Sequence, residues 1–494
     1  MSFLDSLKNE TNFDFTENGA VKHKTTKSDI LDMFALCGSY RNRSEEDCII
    51  MLENALKENE TLAVKCLFYL ADCRGGQGER RFFRVCYRWL ANKHTEIALR
   101  NLKAIPEYRR WDDILYSCVG TPIENDALAF IKEQFILDIQ CKTPSLLAKW
   151  LPSENASSAE TKRMGNIVRE YLGMTHKQYR KSLAELRSRI NIVEKLMSQN
   201  RWDEIEFDKI PSKAGLVYKN AFARRDMIAK KYENFIKSDD TKVNASVLNP
   251  VDITHRAFNC KYKVDEVERV ALQKYWDNLP NYYGDRTENA IAIVDVSGSM
   301  MGVPMEAAVG MGAYIAEHAH GIFADHFITF SSEPHLVRFN GVDIVDKLQR
   351  CKDADWGYNT NLEAVFDLLL NTALKHKTPQ SEMPERLYIF SDMEFDRGCG
   401  FTYSPWGSRS KYSSSDKDTL FEAIAEKWAR YGYELPPVLF WNLDARTQNI
   451  PALGGRYSYI SGFSPSMIET ILSGKSGYDL MLEKLLSARY EMIE

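Results

Sequence analysis

Residues 291–299, Ile-Ala-Ile-Val-Asp-Val-Ser-Gly-Ser, constrain this chain more than any other stretch. Four consecutive apolar residues, three of them β-branched, read as a strand buried on both faces, as in a parallel sheet covered by helices. Asp295, Ser297 and Ser299 then alternate at period two, so an extended chain turns all three to one side. Open α/β sheets bind ligands at the carboxyl ends of their strands. One carboxylate and two hydroxyls are hard oxygen donors, suited to Mg²⁺ or Mn²⁺ and poor for zinc.

From Thr287 onward strand and helix patterns alternate. Strands are expected at 290–295, 326–330, 335–339, 386–391, 437–442 and 456–460. Helices are expected at 304–319, 342–350, 361–375, 418–431, 465–473 and 478–492. That order predicts a doubly wound, mostly parallel, Rossmann-like sheet. The Gly- and Ser-rich stretch 398–415 reads as a long surface loop.

The first half is different. From Ser28 to Tyr232 the apolar spacing is helical, with breaks at Gly75-Gly76, Pro106, Pro152 and Pro211. Many helices with short connections predict an α-helical repeat or bundle. Residues 1–27 are polar with a few aromatics and read as a mobile or loosely docked arm. The expected division is an arm at 1–27, a helical domain with linker at 28–285, and an α/β domain at 286–494. The fold class is thus multidomain α plus α/β.

Charge is uneven. The chain carries 64 Lys+Arg and 69 Asp+Glu, yet residues 141–240 hold 20 basic against 13 acidic side chains. Residues 71–110 hold 10 against 4. A basic helical half suggests a surface for a polyanion, with solvated helix faces as the competing reading. Arg80, Arg81, Arg84, Arg109 and Arg110 are candidate phosphate contacts. So are Lys162, Arg163, Arg169, Lys177, Arg180, Lys181, Arg187 and Arg189. Interleaved Phe82, Phe83, Tyr87, Tyr108, Trp111 and Tyr179 could stack on unpaired bases, although such spacing also suits a helix core.

Several chemistries fit poorly. Residues 75–80, Gly-Gly-Gln-Gly-Glu-Arg, lack the Gly-Lys-Ser/Thr ending of a P-loop and read as an interhelical turn. There is no Gly-x-Ser-x-Gly elbow and no Cys-x-x-Cys among the ten cysteines. Nothing calls for an enzyme, and a hydrolase using Glu394 or Asp396 as base is the weakest reading. No apolar run is long enough to span a membrane, and Met-Ser-Phe-Leu-Asp-Ser-Leu-Lys lacks a basic region followed by an apolar core. A cytoplasmic monomer with reduced cysteines is expected.

The Asp-x-Ser-x-Ser pattern resembles the metal-ion-dependent adhesion site of von Willebrand factor A (vWA) domains. In that family a threonine and an aspartate from two further loops complete the site. Thr360, just before a predicted helix, and Asp392, just after the predicted strand 386–391, match them. The resemblance therefore implies Mg²⁺ (or Mn²⁺) held by Asp295, Ser297, Ser299, Thr360 and Asp392, with a position left for an acidic partner.

The wider chain is similar to a family that joins a helical region to a vWA domain, itself similar to the Ro autoantigen (TROVE) proteins. The matching blocks include 74–80, Arg-Gly-Gly-Gln-Gly-Glu-Arg, and 108–115, Tyr-Arg-Arg-Trp-Asp-Asp-Ile-Leu. Others are 179–183, 209–212, 222–226, 391–396 and 440–443. The resemblance implies HEAT-like helical repeats, closed into a ring in Ro proteins, and binding of small noncoding or single-stranded RNA. A metal-dependent protein-interaction scaffold without RNA is the alternative.

Overall fold

The computed structural model describes residues 12–190, 193–259, 266–330, 333–352, 361–396, 401–403, 409–411, 419–472 and 477–494. The chain forms two compact units. One comprises residues 1–44, 53–60 and 249–485; the other comprises 45–52, 61–248 and 486–494. The boundaries expected at 27/28 and 285/286 do not coincide with these units. Residues 28–44, 249–259 and 266–285 pack in the unit that holds the sheet, which periodicity alone does not reveal.

Among the described residues the first unit holds ten strands. β1 (Phe13–Phe15) and β2 (Val21–His23) form an antiparallel pair. β3 (Ala290–Asp295), β4 (His326–Phe330), β5 (His335–Arg338) and β6 (Arg386–Ser391) follow. β7 (Phe401–Tyr403) and β8 (Arg409–Lys411) are a second antiparallel pair within the expected 398–415 loop, the rest of which lies outside the described residues. β9 (Val438–Asn442) and β10 (Tyr457–Ser461) complete the set. The main sheet runs β10-β9-β6-β3-β4-β5, parallel except for the antiparallel edge strand β5. Numbered by appearance within that sheet, the order is 3-2-1-4-5-6, which places the topological switch point between β3 and β6.

Alternation along β3 decides which helix covers which face. Ile291 and Ile293 join a core with Leu362, Val365, Phe366, Phe421 and Trp428. Ala292 and Val294 face the helix Val303–His318, where a Cβ on Gly312 would lie 2.4 Å from Val294 Cγ2. Helices thus cover both faces, which explains why all six residues of β3 are buried.

Residues 12–27 are a docked strap and not a loose arm. His23 N donates to Ile450 O at 2.9 Å and Ile450 N donates back to His23 O at 3.2 Å. Gly19 forms an antiparallel bridge with Asp396. Docking uses backbone and polar groups while Phe15 stays exposed, so hydropathy carries no trace of it.

The second unit is helical. On the helix Arg80–Lys93, Phe82, Phe83, Cys86, Tyr87, Leu90 and Ala91 are buried at amphipathic spacing. Phe68 meets Phe83 and Tyr108 edge-on, with centroids 5.3 and 5.5 Å apart. All six aromatics considered above for base stacking are core residues, with Trp111 the least buried at 9% exposure. Helical spacing had to bury one face, and these rings are that face.

The turn 75–79 is tightly built. A Cβ on Gly76 would sit 1.7 Å from Tyr69 O, and Gly78 has φ +70°. Nearby, fully buried Asp72 accepts two hydrogen bonds from Arg489, at 2.7 and 2.9 Å, and one from the Tyr490 hydroxyl at 3.1 Å. Lys65 Nζ donates to Tyr490 O at 2.6 Å and the Tyr108 hydroxyl to Arg489 O at 2.6 Å. Residues 486–494 are thereby clasped to the start of the helical unit.

Arg489→Met leaves a buried carboxylate without its cation and should destabilise the unit by roughly 3 kcal/mol. Gly76→Ala forces backbone movement and should lower the melting temperature, whereas Gly173→Ala, which meets no atom within 4 Å and has φ +67°, carries only backbone strain. Thermal melts of the two glycine variants should rank Gly76→Ala as the more damaging.

Candidate metal centre at the sheet's switch point

β3 ends at Asp295 and its neighbour β6 ends at Ser391, so the loops that follow both strands meet at the same end of the sheet. Asp295 is fully buried. Its Oδ1 accepts from Ser297 N at 2.9 Å and its Oδ2 from the Ser391 hydroxyl at 2.5 Å. The Ser297 and Ser299 hydroxyls lie 2.9 Å apart. Asp392 is also buried. Its Oδ1 accepts from Glu394 N at 3.1 Å, while Oδ2 has no hydrogen-bond partner among the described residues. Met393, between them, adopts φ +67°, a left-handed backbone that a non-glycine residue rarely takes.

The electrostatics match that geometry. Burial pushes the Asp295 carboxyl up to about 7; the neighbouring Asp392 charge acts in the same direction, against the Ser391 and Ser297 hydrogen bonds. Asp392 is also raised, chiefly by burial, with the Ser299 hydroxyl, the Glu394 amide and Arg446 pulling it back. Two buried carboxylates at adjacent strand ends are unfavourable as anions unless a cation answers them.

Four of the five expected ligands, Asp295, Ser297, Ser299 and Asp392, therefore surround one place. Thr360 lies outside the described residues. Asn361, which follows it, accepts from Ala364 N at 3.2 Å and caps the helix Leu362–His376. Among the described residues no group of three or more His, Cys, Asp or Glu side chains is placed to hold a metal. The donor set here is instead two carboxylates with hydroxyls. With an orphaned, buried Asp392 oxygen, it fits a small hard cation.

Sequence reasoning missed Ser391, Arg446 and Glu17. Arg446 Nη2 donates to Ser299 O at 3.0 Å, Nη1 to Glu17 Oε2 at 3.3 Å, and Nε lies 3.7 Å from Asp392 Oδ2. Arg446 follows β9, which runs parallel to β6 and so ends at the same carboxyl end of the sheet. A polar Asp444-Ala445-Arg446-Thr447 run there was the available signal.

The basic candidates divide. Asp113 Oδ1 accepts from Arg80 Nε at 2.9 Å and Arg84 Nε at 2.5 Å, and Oδ2 from Arg109 Nε at 3.2 Å. Asp112 Oδ2 accepts from Arg80 Nη2 and Arg110 Nη2, both at 2.5 Å. Burial raises the Asp113 carboxyl, but Arg109, Arg84 and Arg80 outweigh it and hold it below its usual value. Arg84 also covers the Tyr116 ring at 3.9 Å and Arg110 the Trp150 ring at 3.9 Å. Arg169 pairs with Glu154 at 2.8 Å, Arg187 donates to Ala148 O and Leu151 O, and Arg189 to Ile139 O and Cys141 O. These seven arginines are structural clamps before they are anything else. Arg81, Lys162, Arg163, Lys177, Arg180 and Lys181 are exposed, the last five on the helices Ala159–Tyr171 and His176–Arg189.

Two family matches cover most of the chain. Residues 16–112 and 138–279 match a domain of unknown function, DUF2828. Residues 289–488 match another, DUF7788. Neither is a TROVE or vWA family. An uncharacterized protein of Acanthamoeba polyphaga mimivirus is 29% identical over 510 residues, spanning 94% of this chain and 85% of its own length. The DUF7788 match contains Asp295, Asp392 and Arg446, whereas Glu17 falls in the DUF2828 match. The strap and the sheet loops at this site thus come from both matched regions.

The raised carboxyls make stability depend on pH. A folded value near 7 against an ordinary 3.8 means that the folded protein binds more protons between them. Without divalent metal, the contribution from Asp295 is full below about pH 4 and lost as pH rises through about 7. A cation binds the ionised form, so the melting shift caused by Mg²⁺ should grow from pH 5 to pH 8. Differential scanning fluorimetry with and without EDTA across that range measures it; a pH-independent shift contradicts the assignment.

Proposed function

We propose that this chain is a noncatalytic binding protein whose vWA-like sheet unit captures an acidic partner through Mg²⁺ or Mn²⁺. The observation that carries the reading is the pair of buried carboxylates, Asp295 and Asp392, converging at the switch point, with one carboxylate oxygen unpartnered among the described residues. When bound, the cation would supply a Lewis-acidic position for a carboxylate from outside. Asp295, Ser297, Ser299 and Asp392 orient that position, and Ser391 fixes the Asp295 carboxylate. Thr360 is retained in the proposed ligand set on resemblance alone. Calorimetric titration should detect Mg²⁺ or Mn²⁺ binding that Asp295→Ala abolishes. Partner capture should vanish with the same substitution or with EDTA. Metal binding that survives Asp295→Ala sinks the reading.

A second reading is favoured by a separate observation. Lys162, Arg163, Lys177, Arg180 and Lys181 are exposed on two successive helices of the second unit. We propose that this face, in a HEAT-like and Ro-like helical region, binds small noncoding or single-stranded RNA through phosphates. The Ro resemblance supplies the nature of the ligand, and the exposed cations supply the contacts. Base stacking by the six buried aromatics is no part of it. A cytoplasmic location and a monomeric state belong to the same proposal. Among the described residues no helix is long and apolar enough to cross a membrane.

Charge reversal at Lys162, Arg163, Lys177 and Lys181 should weaken RNA binding uniformly across sequences. Each lost phosphate contact should reduce the salt slope by about 1. Fluorescence anisotropy with single-stranded and hairpin RNA at several salt concentrations provides the test. Asp295→Ala should leave that binding intact. Unchanged affinity in the reversed variant removes this face as the RNA site.

A further inference from the structure

We propose that Arg446 is a built-in counter-cation of the Asp295/Asp392 site, which competes with a divalent metal for Asp392, and that Glu17 of the strap holds the guanidinium at the rim. The inference rests on the metal reading above and extends it to two residues that the metal ligand set does not include.

The guanidinium is shared among three segments. It donates to Ser299 O at 3.0 Å and to Glu17 Oε2 at 3.3 Å, and its Nε stands 3.7 Å from Asp392 Oδ2. The last distance is a charge contact but too long for a hydrogen bond, so the Asp392 oxygen keeps its lone pairs available. Arginine stays charged at every physiological pH, so it answers the buried carboxylates without depending on a proton. It is also 39% exposed as a side chain, which gives it room to move.

A metal ion at the carboxylates would face the guanidinium as a like charge. The direction of retreat is already built. Glu17 is 48% exposed and takes one hydrogen bond from the fork where a carboxylate can take two. Its own backbone is anchored beside the site. Glu17 N donates to Glu394 Oε2 at 2.7 Å, Asn18 Nδ2 to Glu394 O at 2.6 Å, and the Thr16 hydroxyl to Phe395 O at 2.7 Å. Glu394 and Phe395 directly follow Asp392 and the left-handed Met393. The strap that carries the counter-charge for Arg446 is therefore anchored to the loop that carries Asp392, and Glu17 is a positioning residue that acts through Arg446.

The test uses the full chain and Mn²⁺ and Mg²⁺ alone as probes, titrated calorimetrically. Arg446→Gln should bind metal about tenfold more tightly than the parent, because a neighbouring positive charge is gone. Glu17→Gln should bind several-fold more weakly, as the guanidinium falls back on Asp392. In the double variant the Glu17 effect should largely disappear. Melting gives an independent readout: Arg446→Gln should melt below the parent in EDTA and lose that deficit in saturating Mg²⁺. Equal metal affinity in Arg446→Gln and parent, or the same melting deficit with and without metal, overturns the proposal while the metal site stands. If Arg446→Gln does not fold, Glu17→Gln alone decides, since unchanged metal affinity there is equally fatal. A parent chain that binds neither metal overturns the metal reading and this inference together.

Discussion

The parallel pairing of β3 with β6 is the constraint from which the sheet unit's chemistry follows. The two strands are neighbours in space, but their outgoing connections lead to opposite halves of the sheet, so neither loop covers the gap between them. The chain places a carboxylate at that gap from each side. Both are withdrawn from water, which is costly for anions. The surroundings read as compensation for that cost: the Ser297 amide and Ser391 hydroxyl on Asp295, the Glu394 amide on Asp392, and Arg446 close to the other Asp392 oxygen. The left-handed backbone at Met393 is held by the same ring of contacts, since Met393 N donates to the Ser391 hydroxyl at 3.0 Å.

The helical unit solves the opposite problem. Its arginines are numerous, and many serve inward. Asp112 and Asp113 gather Arg80, Arg84, Arg109 and Arg110 into one node, so a stretch that is rich in positive charge in sequence is much less so in space. Net charge over a window counts residues and takes no account of distance. The exposed cations farther along, from Lys162 to Lys181, are the ones a polyanion would meet first.

The sheet was legible because its strands are apolar runs bounded by polar or Gly/Pro residues. Strands 290–295, 326–330 and 386–391 lie where hydropathy put them, and the edges of the others shift by one residue or so. The candidate site was legible at Asp295, Ser297 and Ser299 as an Asp-x-Ser-x-Ser run at a strand end, although Gly298–Met300 turns as a 3-10 helix instead of staying extended, and at Asp392 through the vWA resemblance. Arg446 and Glu17 were not, because their roles depend on loops that only the tertiary fold brings together. The docked strap escaped for a related reason, its attachment being backbone bridges and side-chain hydrogen bonds with no apolar pattern. The aromatics 82, 83, 87 and 108 were read two ways, and burial decided for the core. The neighbouring Asp112-Asp113 was the overlooked sign that Arg109 and Arg110 had partners at home.

The clasp on Asp72 bears on how the chain is made. Its partner Arg489 lies 417 residues downstream, and the helical unit's own chain is interrupted by the whole of 249–485. During synthesis the carboxylate must wait, without its cation, until residue 489 has left the ribosome. The helical unit can mature only after the sheet unit has been translated, and neither can be excised as one continuous fragment. A nonsense mutation anywhere before codon 489 would therefore strip the upstream helices of a buried charge partner, even when every residue of those helices is present.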